Sequence, residues 1–149
     1  MPIKSFRGKI ADSDIDTISL STNNGETGYR IKKLELLPTT AGLAVESVVK
    51  IYSIPQTTAT ADIDFSDNTL LSAGIIEVAL SLSDNMYLPK PVIVFDNITF
   101  NQDIFITVKG VGHTESINYY LELEQVKLSL DENTVATLKD IKNIEQSRQ

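Results

Sequence analysis

The amino-acid sequence predicts an all-β fold, an antiparallel β-sandwich of about eight strands arranged like a jelly roll, followed by a C-terminal α-helix. Three observations predict it. Apolar residues recur at every second position over short runs, the spacing of strands with one buried face. Clusters of Gly, Pro, Asn and Asp interrupt those runs at short intervals, as turns between neighbouring strands require. Beyond Asp131 the apolar spacing changes to three residues, which belongs to a helix.

Taken in order, a first strand is expected around Phe6 to Ile10. Thr17-Ile18-Ser19-Leu20-Ser21 alternates and ends in the turn cluster Thr22-Asn23-Asn24-Gly25. Between Gly28 and Leu37, Tyr29 and Ile31 share a face, and the apolar phase then shifts to Leu34 and Leu36. A β-bulge near Lys32 and Lys33 would restore one buried face. Val45, Val49 and Ile51 mark one face of the next strand, with Glu46, Lys50 and Tyr52 on the other. The polar Gln56–Asn68 stretch reads as a long loop, a feature that in compact domains serves binding or stays mobile. Ile76, Val78, Leu80 and Leu82 alternate strictly. Val92-Ile93-Val94-Phe95 is apolar at every position, which suits a central strand covered on both faces. Ile104, Ile106 and Val108 follow. The last strand begins at Tyr119, Leu121 and Leu123, with a second bulge expected at Glu124-Gln125 before Val126, Leu128 and Leu130. Ser129-Leu130-Asp131-Glu132 matches a capping box that starts the helix. Its apolar stripe, Val135, Leu138, Ile141 and Ile144, drifts around the helix axis, as in an arm that packs on more than one surface. The organisation expected is a sandwich domain over 1–130 and a helical arm over 131–149.

The 149 residues suit one domain, large enough to hold a core without staples. The chain has no cysteine, so disulfides and thiolate metal sites are excluded together. Its net charge of -7 argues against nucleic acid as a partner, because phosphate binding depends on Lys and Arg. No run reaches the roughly 18 apolar residues of a membrane-spanning helix. The opening residues lack a signal-peptide core, so cytosolic synthesis is expected.

No constellation requires catalysis. His113, the single histidine, lies beside Gly112 and reads as a loop residue. Asp12-Ser13-Asp14-Ile15-Asp16 opens like a calcium loop, but Thr17 stands where the glycine is needed and Asn23 where the glutamate is needed. A different calcium site, with help from Asp62, Asp64 or Asp67, stays open beside the plainer reading of a charged strand edge. Glu122 and Glu124 read as the wet side of a strand. Sugar-binding sandwiches lean on Trp, absent here, although Tyr52, Tyr87, Tyr119 and Tyr120 could substitute; Tyr119 falls on the core phase. No cofactor is expected.

Three segments carry a resemblance: Pro2 to Ile10, Ile93 to Thr107, and Asn118-Tyr119-Tyr120-Leu121-Glu122-Leu123-Glu124-Gln125-Val126 onward. Over most of its length the chain resembles small structural proteins of tailed, marine-type bacteriophages. The resemblance implies a sandwich module within the virion, made in the host cytoplasm, with no catalytic residues. It implies the major capsid protein or other virion proteins as partners, with assembly into homo-oligomers or onto neighbours, and no role for nucleic acid or membrane. A capsid decoration or cement role is expected ahead of a neck or tail position, and a carbohydrate-binding host-recognition module is the alternative. The contacts are expected from Ile3, Phe6 and Arg7 of an N-terminal strand able to extend a neighbour's sheet. Val135, Leu138, Ile141 and Ile144 of the arm and the Gln56–Asn68 loop are expected to add to them.

Overall fold

A computed structural model describes residues 2–20, 26–78 and 92–128. Within them the chain is all-β: eight antiparallel strands form two sheets, neither closed into a barrel, and no helix occurs among the described residues. The strands are β1 (Ile3–Ile10), β2 (Ile15–Ile18), β3 (Thr27–Pro38), β4 (Val45–Tyr52), β5 (Leu70–Val78), β6 (Val92–Phe95), β7 (Ile104–Gly110) and β8 (Ile117–Lys127). One sheet has the order β1-β8-β3, the other β2-β7-β4-β5-β6.

The alternation read from the sequence is what builds the core. Ile10, Ile31, Leu34 and Leu36 meet Tyr119, Leu121 and Leu123 from the three-stranded sheet. Val49, Ile51, Ile76, Ile104, Ile106 and Val108 face them from the five-stranded sheet, all in one continuous cluster. The register of β3 against β8 shifts between Ile31 and Lys33, so Lys32 is the extra residue that lets Ile31 and Leu34 share the buried face. Beyond β6 the chain crosses to the other sheet. Phe100 and Tyr29 exchange backbone hydrogen bonds of 2.7 and 2.9 Å, and their rings lie 6.5 Å apart.

Two expectations are corrected. β6 is not a central strand: it forms the edge of the five-stranded sheet, bonded only to β5 among the described residues. No bulge occurs at Glu124-Gln125, because the pairing of β8 with β3 runs without a shift from Leu123 to Lys127. Past Glu124, where the register of β1 ends, the Gln125 amide donates to the Pro2 carbonyl at 2.9 Å, and Gln125 and Val126 are both half-exposed. The long loop over Gln56–Asn68 is present as expected, between β4 and β5. The expected helix, with Val135, Leu138, Ile141 and Ile144, lies outside the described residues, as do Leu80, Leu82 and Tyr87.

Candidate protein-docking edge

The outer face of the five-stranded sheet carries the least expected chemistry. Lys50 points away from the core cluster, on the face where a lysine would ordinarily meet water, yet only 1% of it is exposed. Its ammonium donates to Thr60 Oγ1 at 2.8 Å and to the Asp62 carbonyl at 2.6 Å, and lies 5.5 Å from the centre of the Tyr52 ring. Ile54 and Ala59 are buried beside it. The stretch following β4 is therefore folded down onto the sheet, with Lys50 as its anchor.

That stretch ends in a turn fixed twice over. Asp64 Oδ1 accepts from the Ser66 amide at 2.9 Å and hydroxyl at 2.6 Å; Asp67 Oδ1 accepts from the Thr69 amide at 2.8 Å and hydroxyl at 2.6 Å. The bonds from Ser66 hold the Asp64 carboxyl below its ordinary pKa. On this pinned turn stands Phe65, 69% exposed. An aromatic displayed on rigid backbone has little entropy left to lose on contact, which is the profile of an interface anchor.

Phe65 adjoins β6. Ile93 packs on the core, whereas Val92 (66% exposed) and Val94 (48% exposed) point outward beside Ile75. Phe65, Leu71, Val94 and Phe95, with Asp67 and Asp96, line a groove of ≈ 360 Å³ between the turn and the strand. The remaining edge strands are guarded by charge, as exposed edges normally are. β1 carries Lys4, Arg7 and Lys9; β2 carries Asp16; β3 carries Arg30, Lys32, Lys33 and Glu35. β6 alone among these edges has no ionisable residue. An unguarded, apolar sheet edge beside a displayed phenylalanine is equipped to bind protein.

The residues expected to make contacts are scattered. Ile3, Phe6 and Arg7 lie on β1, whose whole length pairs with β8 in its own sheet, from Ile3 opposite Glu124 to Ile10 opposite Ile117. Phe6 packs against the core, Ile3 is exposed, and Arg7 lines a second groove with Lys9, Glu35, Leu37, Asn118 and Tyr120 on the outside of the three-stranded sheet. Lys32 and Lys33 form no free basic patch: Lys32 pairs with Glu124 at 3.4 Å and Lys33 with Glu35 at 3.3 Å. Arg30 also reaches Glu124, at 3.3 Å. Burial pushes the Glu124 carboxyl up, but the bonds and charges of Lys32 and Arg30 outweigh it and leave its pKa below the usual range.

The aspartates act locally. Asp12 Oδ1 accepts from the Gly110 amide at 2.6 Å, tying the turn after β1 to the end of β7. No group of three or more acidic or histidine side chains among the described residues is placed to hold a metal ion. Burial, and then the neighbouring charge of Asp14, raise the pKa of Asp16, and Asp16 in turn adds to the raised pKa that burial gives Tyr119. The sequence reading nominated the loop that holds Phe65 but not Phe65 itself; a lone aromatic inside a Thr/Asp-rich loop was the available signal.

No family model, curated protein or solved structure matches the chain.

Proposed function

We propose that this protein is a structural component of a bacteriophage virion, a capsid decoration or cement protein that stabilises the shell by docking onto other virion proteins. The observation that carries the protein-docking part is the apolar, uncharged β6 edge beside the pinned Phe65 turn. The virion part rests on the resemblance of the three segments named above. The topology is compatible with it. With β1-β8-β3 in one sheet, β2-β7-β4-β5-β6 in the other, and the bridge of Phe100 to Tyr29 at the edge of β3, we read the strands as a double Greek key of jelly-roll type with β6 as an added edge strand. Jelly rolls serve capsids and lectins alike, so the topology does not choose between them.

The experiment is quantitative analysis of purified particles of the phage that encodes the chain. Decoration predicts many copies spread over the shell, and Phe65→Ser lowers that occupancy at least about thirtyfold at limiting protein, the worth of an aromatic hot spot. A few copies at one vertex would favour a neck or tail part; absence from particles overturns the reading.

A second reading has one observation in its favour. Tyr120, Arg7, Glu35 and Asn118 bring an aromatic ring and hydrogen-bonding groups to one groove, the mix that suits a sugar. Binding on a glycan array that disappears in Tyr120→Ala would support it.

A further inference from the structure

We infer that the edge of β6 left unpaired among the described residues pairs with β6 of a second copy, joining two five-stranded sheets into one across a two-fold axis. The inference concerns the backbone of the site described above and rests on its reading as a protein-docking surface.

The backbone fixes the register. The Asp96 amide donates to the Leu71 carbonyl at 3.2 Å, so Asp96, Val94 and Val92 turn their backbone groups toward β5. By alternation, the N–H and C=O of Ile93 and Phe95 face away from it, toward the open edge. A two-fold perpendicular to the sheet keeps outward side chains opposite outward ones and inward opposite inward. The register that places Val94 opposite its own copy also places Ile93 opposite Phe95 in both directions. All four backbone groups of each edge then find partners, with four hydrogen bonds formed across the axis.

The side chains permit this pairing at β6 and oppose it elsewhere. Two β1 edges would bring the cations Lys4, Arg7 and Lys9 close to those of the second copy, and two β2 edges would do the same with Asp16. β6 itself brings only Val, Ile and Phe, and Asp96, which extends its ladder, falls opposite Val92 of the second copy and not opposite its own. The axis also leaves Phe65, Ile75, Val92 and Val94 of both copies on one side of the joined sheet, doubling the apolar face that docks.

Because the chain has no cysteine, a single introduced thiol reads the register directly. Val94→Cys places two thiols in a non-hydrogen-bonded pair, about 4.5 Å apart at Cα, within disulfide reach. Val92→Cys places them about 13 Å apart, beyond it. The expected results are a wild-type dimer in sedimentation velocity, a disulfide-linked dimer on oxidising Val94→Cys, and none from Val92→Cys. Val94→Lys, at a position already exposed, should keep the melting curve and weaken the dimer at least about a hundredfold through like charges on the axis. A wild-type protein that stays monomeric to its solubility limit, with Val94→Cys uncrosslinked, overturns the inference. Protection of the Ile93 and Phe95 amides from exchange in such a monomer would give the edge to residues 79–91 or 129–149 of the same chain. Protection only after adding another virion protein would give it to a foreign strand. A monomer that still occupies particles sinks the dimer and spares the docking role; a dimer that never binds particles does the reverse.

Discussion

Single residues decide how tightly the frame is specified. An added Cβ at Gly110 would run into the backbone carbonyl of His113, while the Gly110 amide is already committed to Asp12. Gly110→Ala should therefore cost about 1–3 kcal/mol in urea unfolding, the range for forced overpacking. Lys50→Ala removes a buried stem and leaves Thr60 and Asp62 without their donor, so a loss of about 2–4 kcal/mol is expected, with faster amide exchange across residues 53–69. Two carboxylates pull in opposite directions with pH. Asp16 has a raised folded-state pKa, so its contribution is full below the ordinary value of 3.8 and is lost as pH rises through the raised one. Asp16→Asn should accordingly raise the melting temperature at pH 7 and leave it unchanged near pH 3. Glu124 has a lowered pKa, so its contribution is present above the ordinary 4.5 and disappears as pH falls through the lowered one; Glu124→Gln should destabilise at pH 7 and not in strong acid. Lys50 shows where local reading stops. Alternation placed it on the outer face, and only the fold of the following loop, set by contacts ten and twelve residues away, reveals that this face is covered there.

At the scale of elements, alternation told strand faces apart because each sheet has one side against the core. The bulge at Lys32 was legible for the same reason: an apolar phase break inside one long strand needs an extra residue to keep Ile31 and Leu34 together. The similar break after Leu123 falls where the register of β1 ends, and a sequence pattern cannot tell the end of a neighbour's register from insertion of a residue. β6 misled in the more useful direction. Four consecutive apolar residues are what a central strand looks like, and edge position is set by which strands lie beside it, not by its own composition. The mismatch between its central-strand sequence and its edge location among the described residues is what the proposed pairing with a second copy would account for. Residues 131–149 belong to the same question. Their removal should leave the β-sheet circular dichroism spectrum intact and, if they form the expected arm, lower incorporation into particles.

The whole molecule joins the first strand to the last. Two sheets share one core, and the strand in the middle of the three-stranded sheet is β8, flanked by β1 and β3. The acidic net charge of -7 works against bringing two copies together, so added salt should tighten self-association by screening it, a trend readable by sedimentation from low to moderate ionic strength. Fold class and most strand positions were legible because they depend on patterns a few residues long. The candidate docking edge was not, since Phe65 and Val94 reach one groove only when β6 folds back alongside β5.

The central place of β8 has a kinetic consequence. Neither β1 nor β3 can find its sheet partner until residues 117–127 have left the ribosome, so Ile3 waits for Glu124 while all the strands between them are made. Closure of the three-stranded sheet must then come late and be slow, as distant pairings impose. Throughout that interval the nascent chain exposes the uncharged β6 segment, and chaperones have their best handle on it there.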